Sequence, residues 1–339
     1  MPAPKLSRRA FIRLLSLIGI GSGLALLERI TQPIGAAKFV QWQARSRYQQ
    51  FLAPRAVVAL IECPSYQAEI VQKLSDFWNA AGMPKVHGQK VLIKPNLVDT
   101  VAERPAITAP QATLAVVDLL KGMGASQVSV GDGPAFRREA QSVLSGSGLI
   151  EALKDRNVPF IDLNYDDPQP LPAQKDWFIG IKEIWLPRHV VEADLIISLP
   201  KMKMHHWAGA SLSLKNLLGV LPGCRYGWPK NFIHFRGITA SILGLYQMLP
   251  PVAAIVDGVV GMEGDGPVFG MPVAHGVLAM GADPLAVDIT CARLMGFEPW
   301  EVEHLGMAAY SGLGQFSRIE TIGASFDQLK RNYQRPPSI

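Results

Sequence analysis

The sequence predicts an open, mainly parallel α/β sheet with helices on both faces and room for an added antiparallel strand. Three observations carry this. Short apolar runs of strand length recur along the chain. Amphipathic segments closed by Gly or Pro separate them. The 31 glycines and 26 prolines supply many tight turns, against a helical bundle.

Residues 56–61 form a buried strand, and 66–81 have helical spacing, closing at Gly82 with Pro84 beyond. Residues 90–94 are a second strand, stopped by Pro95. A helix over 110–122 has Pro at its start, a basic last turn and a Gly stop. Residues 127–131 are a third strand, and 139–156 are helical with a break at 146–148. A short strand starts at Phe160. Residues 164–177, rich in Asp, Pro and Gln, read as a loop, and 181–186 alternate as an added strand. Strands follow at 194–199, 252–256 and 277–280. Helices span 232–249, stopped by Pro250-Pro251, then 284–295 and 301–310.

The basic character is concentrated at the start. The net charge is +5, but residues 1–37 hold +4 of it and the remainder only +1, so a nucleic-acid partner has no support. Ser7-Arg8-Arg9-Ala10-Phe11-Ile12-Arg13 resembles the twin-arginine export motif, and residues 14–27 follow without charge. That run has the length of a signal h-region and is too short for a stable membrane span of roughly 20 residues. Residues 1–37 are therefore expected to be a twin-arginine signal peptide, with the twin-arginine translocase as partner and a periplasmic or other exported destination. Residues 38–54 read as a linker. Residues 55–325 read as a single α/β domain, or two lobes meeting near 165–180, and 326–339 as a C-terminal tail. Three cysteines, Cys63, Cys224 and Cys291, exclude a disulfide framework and an iron–sulfur cluster held by this chain alone.

In open α/β sheets ligands bind beyond the carboxyl ends of the strands. Here those ends are polar. They deliver Lys94-Pro95-Asn96, Gly131-Asp132-Gly133-Pro134, Pro200-Lys201-Met202-Lys203-Met204-His205-His206, and Asp257-Gly258 continuing to Gly264-Asp265-Gly266-Pro267. Small residues at 208–211 precede a short helix with Ser211 or Ser213 as its cap, so backbone N–H groups and Lys201, Lys203 and Lys215 suit a carboxylate or phosphate. Asp257, Glu263 and Asp265 on a glycine-rich turn suit a hard divalent cation; His205, His206 and His234 would turn the preference to zinc, iron or nickel. Adjacent histidines usually point apart, so one of His205 and His206 is expected to face the site. No P-loop, nucleophile elbow or Gly-x-Gly-x-x-Gly fingerprint is present.

In this order, and with Ser211-Leu-Ser-Leu-Lys215-Asn216 and Ala282-Asp283-Pro284-Leu-Ala-Val-Asp288, the motifs resemble domain-of-unknown-function family 362 over about residues 55–315. Many of its members carry ferredoxin-like cysteine clusters that this chain lacks. The resemblance supports the fold and the edge, and leaves the reaction open. The expectation is an exported α/β enzyme acting on an anionic small molecule with a divalent metal. Lys94, Asn96, Lys201, Lys203, Ser211, Lys215 and Asn216 would hold the anion, and Asp257, Glu263 and Asp265 the metal. His205 and His234 would be the acid–base groups, since imidazole titrates nearest neutrality. The alternative is a non-catalytic ligand or cofactor carrier, or an assembly factor for a redox enzyme.

Overall fold

A computed structural model describes residues 54–336 apart from 100–103, 136–139, 145–146, 175–176, 179, 229 and 231–236. The proposed leader, nearly all of the linker and His234 lie outside the described residues.

Twelve strands are described: β1 (Ala56–Glu62), β2 (Lys90–Pro95), β3 (Gln127–Asp132), β4 (Phe160–Asp162), β5 (Pro168–Pro172), β6 (Glu183–Pro187), β7 (Leu195–Leu199), β8 (Lys201–His205), β9 (Gly209–Ser211), β10 (Val252–Glu263), β11 (Met271–Gly281) and β12 (Ile319–Gly323). The helices that matter below are α1 (Ile70–Trp78), α2 (Pro110–Gly122), α3 (Leu149–Asp155), α4 (Ser213–Asn216), α5 (Ile238–Tyr246), α6 (Pro284–Leu294), α7 (Glu303–Tyr310) and α8 (Phe326–Leu329).

The main sheet runs β12-β1-β11-β10-β7-β2-β3-β4, with β8 beside β10 and β9 beside β8. Pairing is parallel from β10 through β4 and between β1 and β12; β11 is antiparallel to both its neighbours. Successive residues of each strand face opposite layers. Val91 and Ile93 pack with Leu74, Leu120 and Leu153 of α1, α2 and α3, while Leu92 packs on the other side with Ile196 and Leu245. On that second face Leu60 and Val256 meet Ile242, Leu285 and Leu305 of α5, α6 and α7. Burial on both sides is why the strands read as unbroken apolar runs.

Several expectations shift. The antiparallel members of the main sheet are β11 and, beside β8, β9, not residues 181–186. Those residues contribute to β6, which forms a separate two-stranded sheet with β5 in the segment read as a loop. The alternating prolines 168, 170 and 172 hid that strand. Trp185, opposite Pro170, turns its N–H away to the Tyr226 hydroxyl at 2.7 Å, so Pro170 is excused from donating. The helix before Pro250 is described from Ile238 to Tyr246, preceded by Gly237 at φ +90°. The 326–336 part of the tail is packed: α8 forms there, Tyr333 is buried, and its hydroxyl lies 2.9 Å from His275 Nδ1.

The presumed turn from Asp257 to Glu263 is the second half of β10, which continues past a register shift between Gly258 and Val260. Gly261 permits this, because a Cβ there would meet the Tyr333 hydroxyl. The stretch after β7 is likewise strand β8, pairing with β10 at Asp257↔Lys201 and Met262↔Lys203.

Candidate functional site

The register puts the polar strand ends at one edge. Lys94 of β2 and Ala254 of β10 both pair with Ser198 of β7, and Asp257 pairs with Lys201 just beyond. Lys94, Lys201 and Lys203 are the largest fully buried side chains among the described residues, each exposing 2% or less.

Lys94 and Asp132 form the centre of a cleft. The Lys94 ammonium lies 2.6 Å from Asp132 Oδ1 and donates to Pro95 O at 2.9 Å and to Asn216 Oδ1 at 3.0 Å, so its three N–H groups are satisfied. Asp132 also accepts from Gly133 N at 2.8 Å and Leu97 N at 2.7 Å. Burial lowers the Lys94 pKa, and Asp132 opposes that shift. Gly219 passes over the pair; a Cβ there would run into Lys94 and Asp132.

Two further lysines enter the cleft. Lys230 donates to Gly133 O at 2.5 Å and Gly219 O at 3.2 Å. Its backbone sits at φ +65°, a left-handed conformation that costs a lysine roughly 1–2 kcal/mol. Burial lowers its pKa to about 7, against the pull of Asp132. Lys215 of α4 is half-buried, and burial, then Lys94, lower its pKa to about 8. It makes no hydrogen bond or ion pair among the described residues. The cleft of about 90 Å³ is thus lined by Lys94, Asn96, Asp132, Lys215, Asn216 and Lys230, three cations against one carboxylate.

Lys201 and Lys203 are committed elsewhere. Lys201 lies 2.5 Å from Asp257 Oδ2 and donates to the Tyr66 hydroxyl at 2.7 Å, which itself donates to Asp257 Oδ1 at 2.8 Å. Ala109 N donates to Asp257 Oδ2 at 2.9 Å. Lys203 donates to Ala106 O at 2.6 Å and Pro267 O at 3.0 Å, tying two connections together. Burial, then Lys215 and Lys201, push its pKa well below the usual lysine range.

Four expectations about the site are corrected. First, the anion seat at the start of α4 is filled from within. Asp288 of α6 accepts from Ser213 N at 2.7 Å, Ser213 Oγ at 2.5 Å and Leu214 N at 2.9 Å. The cap residue is Leu212, and Ser211 is a buried member of β9. Second, Lys201 and Lys203 are not available to a ligand, for the reasons just given. Third, the three acids do not assemble a metal site. Asp257 is held by Lys201, Tyr66 and Ala109; Glu263 accepts from Gln334 N at 2.8 Å; Asp265 is exposed on the turn. Among the described residues no group of three His, Cys, Asp or Glu side chains is gathered for a metal.

Fourth, His205 is not poised for acid–base work. It is buried, and its Nδ1 accepts from Trp207 N at 3.1 Å and Ala208 N at 3.2 Å. Burial, then Lys215, depress its pKa far below the usual imidazole value, so the ring is neutral with its proton on Nε2. His206 is exposed, yet the two rings stack with centroids 5.0 Å apart. His304, given no role by the sequence, is buried with Nε2 unpartnered, and burial, then Lys215, lower its pKa to about 3.

The description "Domain of unknown function (DUF362)" fits residues 91–293, more than half of the chain, and the chain belongs to this family. It is 29% identical over 235 residues to Thylakoid-associated protein sll1697 of Synechocystis sp., covering 67% of this chain and 68% of that one. Among solved structures it is similar to the lactate racemase apoprotein of Thermoanaerobacterium thermosaccharolyticum, at 11% identity and TM-score 0.44, covering 71% of this chain and 57% of that one. A Thermotoga maritima protein is similar at 14% identity and TM-score 0.38, covering 70% and 60%. No described helix is long and apolar enough to cross a membrane.

Proposed function

We propose that this is an exported protein that takes a small oxyanion into the cleft between Lys94, Lys215 and Lys230. One observation carries the reading: the Lys215 ammonium has no partner among the described residues, in a cleft whose cations outnumber its carboxylates three to one. Lys94 is already neutralised by Asp132, so the surplus rests on Lys215 and Lys230. A partly buried cation without a partner is costly, and an anion removes that cost. Asn96 and Asn216 line the same cleft and supply polar groups to orient the ligand.

A second reading, turnover rather than carriage, is favoured by the same lysines. With pKa values lowered to about 8 and about 7, Lys215 and Lys230 are suited to move a proton near neutrality, as His205 is not. Titration calorimetry with sulfate tests the shared part: the wild type binds, and Lys215→Ala binds at least about tenfold more weakly. A wild type that binds no oxyanion ends both readings. The export half rests on Arg8 and Arg9. Arg8→Lys with Arg9→Lys is expected to leave the protein in the cytoplasm, as cell fractionation would show; unchanged export would remove that half.

A further inference from the structure

Lys215 and Asn96 both line the cleft, and among the described residues the Lys215 ammonium lacks a hydrogen-bond or ion-pair partner and the Asn96 side-chain oxygen lacks a donor. The Asn96 Oδ1 atom is buried and unbonded, one of few such side-chain atoms among the described residues. An amide can be turned over to rescue an orphaned oxygen, so its orientation must be argued from its neighbours.

The network fixes it. Asn216 faces Lys94 O at 2.9 Å and Ser198 Oγ at 3.1 Å. The carbonyl can only accept, and Ser198 Oγ already donates to Ser213 O at 3.0 Å. The group Asn216 presents to them is therefore its NH2, which leaves its Oδ1 toward the Lys94 ammonium and toward Asn96 at 3.3 Å. Asn96 must answer that oxygen with its own NH2, and its Oδ1 is forced to the opposite side. The residue is also held by its backbone: Asn96 N donates to Thr108 Oγ1 at 2.8 Å, and Thr108 N donates to Asn96 O at 2.9 Å. Thr108 Oγ1 in turn donates to Leu199 O at 2.7 Å, anchoring the arrangement to β7. The orphaned acceptor is thus built in rather than adjustable.

We propose that the cleft selects oxyanions carrying a hydrogen-bond donor of their own, of the hydrogen phosphate or hydroxycarboxylate kind, over oxyanions that only accept. This rests on the oxyanion reading above and adds which oxyanion. The anionic oxygens meet Lys215, and the ligand's hydroxyl donates to Asn96 Oδ1. An ion with acceptors only would set an oxygen against that oxygen, leaving two acceptors unpaired. Sites built around a hydrogen bond to a ligand hydroxyl reject analogues that lack it, because the protein group is then left unpaired.

Two matched pairs test this near neutral pH by titration calorimetry. Phosphate keeps at least one P–OH where sulfate has none; glycolate carries a hydroxyl where acetate has none. The expected result is that the donor-bearing ion of at least one pair binds about tenfold tighter or more, equivalent to about 1.4 kcal/mol. The responding pair identifies the headgroup. In Asn96→Ala that preference falls to within about twofold. Equal binding within both wild-type pairs overturns the proposal and leaves the oxyanion reading intact. A preference that survives Asn96→Ala also overturns it. Failure of all four ions to bind overturns both. The wild-type comparison stands even if the variant folds poorly.

Discussion

Two groups of lysines share the carboxyl edge of this sheet, and they differ in whether their charges are answered from within. On the β8–β10 side, Lys201 is closed off by Asp257 and Tyr66, and Lys203 by two backbone carbonyls. On the β2–β3 side, Asp132 answers Lys94, and among the described residues Lys230 has only carbonyls as hydrogen-bond partners and Lys215 has no partner. The difference teaches that a lysine after a strand is not by itself a binding group. Burial makes it costly, and where the protein supplies the counter-charge the lysine holds elements together. Where the protein withholds it, a ligand is the remaining source.

The largest expected effect lies on the closed side. Asp257→Ala strands the Lys201 ammonium in the core and removes the acceptor of Tyr66 and Ala109 N. A loss of about 3–5 kcal/mol is expected in urea unfolding. Replacing both charges, Asp257→Leu with Lys201→Met, should recover most of it, since apolar residues of similar volume substitute well for a buried pair. A loss under about 1 kcal/mol for the single variant would break the contrast.

The reverse pattern is expected on the open side. Lys215→Ala breaks no hydrogen bond or ion pair among the described residues and removes a buried charge without a counter-charge, so its unfolding free energy should not fall and should rise near neutral pH. Its sulfate affinity should fall by roughly 1.5–3 kcal/mol, the contribution of a charge-assisted hydrogen bond. Lys203→Met should do the opposite: lose roughly 1–3 kcal/mol of stability through the orphaned Ala106 and Pro267 carbonyls, and keep its affinity. Identical behaviour of the two variants would erase the distinction.

Gly219→Ala probes the seam between the two functions. The added methyl meets Lys94 and Asp132 and must push the pair apart. An overpacking cost of roughly 1–3 kcal/mol in stability is expected, with weaker sulfate binding. Retained stability together with retained binding would mean the cleft tolerates what its geometry forbids.

Much of this edge was legible in the sequence, for a physical reason. Strands buried on both faces must be short apolar runs, so Lys94, Asp132, Lys201 and Asp257 stood out as their polar ends. Four things were not legible. The Lys-Met-Lys-Met-His stretch read as a post-strand loop although its strict alternation is a strand pattern: Met202 and Met204 join the core, and the lysines and His205 take the other face. Which lysine meets which acid depends on contacts across the sheet, such as Lys201 with Asp257, 56 residues apart. Lys230 had no signal at all, since its place depends on a left-handed backbone in a Pro-rich turn. Asp288, which fills the expected anion seat, lies 75 residues from Ser213, so its pairing there also depends on the tertiary fold.

The smallest effect is the dependence on pH, and its sign separates the two groups again. In the empty protein burial lowers Lys230 to about pH 7 and Lys215 to about pH 8, whereas an oxyanion binds only their protonated forms. Sulfate does not titrate in this range, so any change belongs to the protein. Between pH 6 and pH 8 deprotonation of Lys230 alone should weaken sulfate binding by roughly tenfold, about 1.4 kcal/mol. Stability of the empty protein should move the other way. The folded pKa values of these lysines lie below the unfolded value of roughly 10.4, so the unfolded chain holds more protons above pH 7. Their contribution is least favourable below about pH 7 and is relieved as pH rises toward roughly 10. Saturating sulfate restores the protonated lysines and should flatten that rise, while Lys215→Ala should remove only the upper part of it. If sulfate affinity is level from pH 6 to pH 8 and the unfolding free energy of the empty protein does not rise above pH 7, the open-side lysines are not buried cations awaiting a counter-charge.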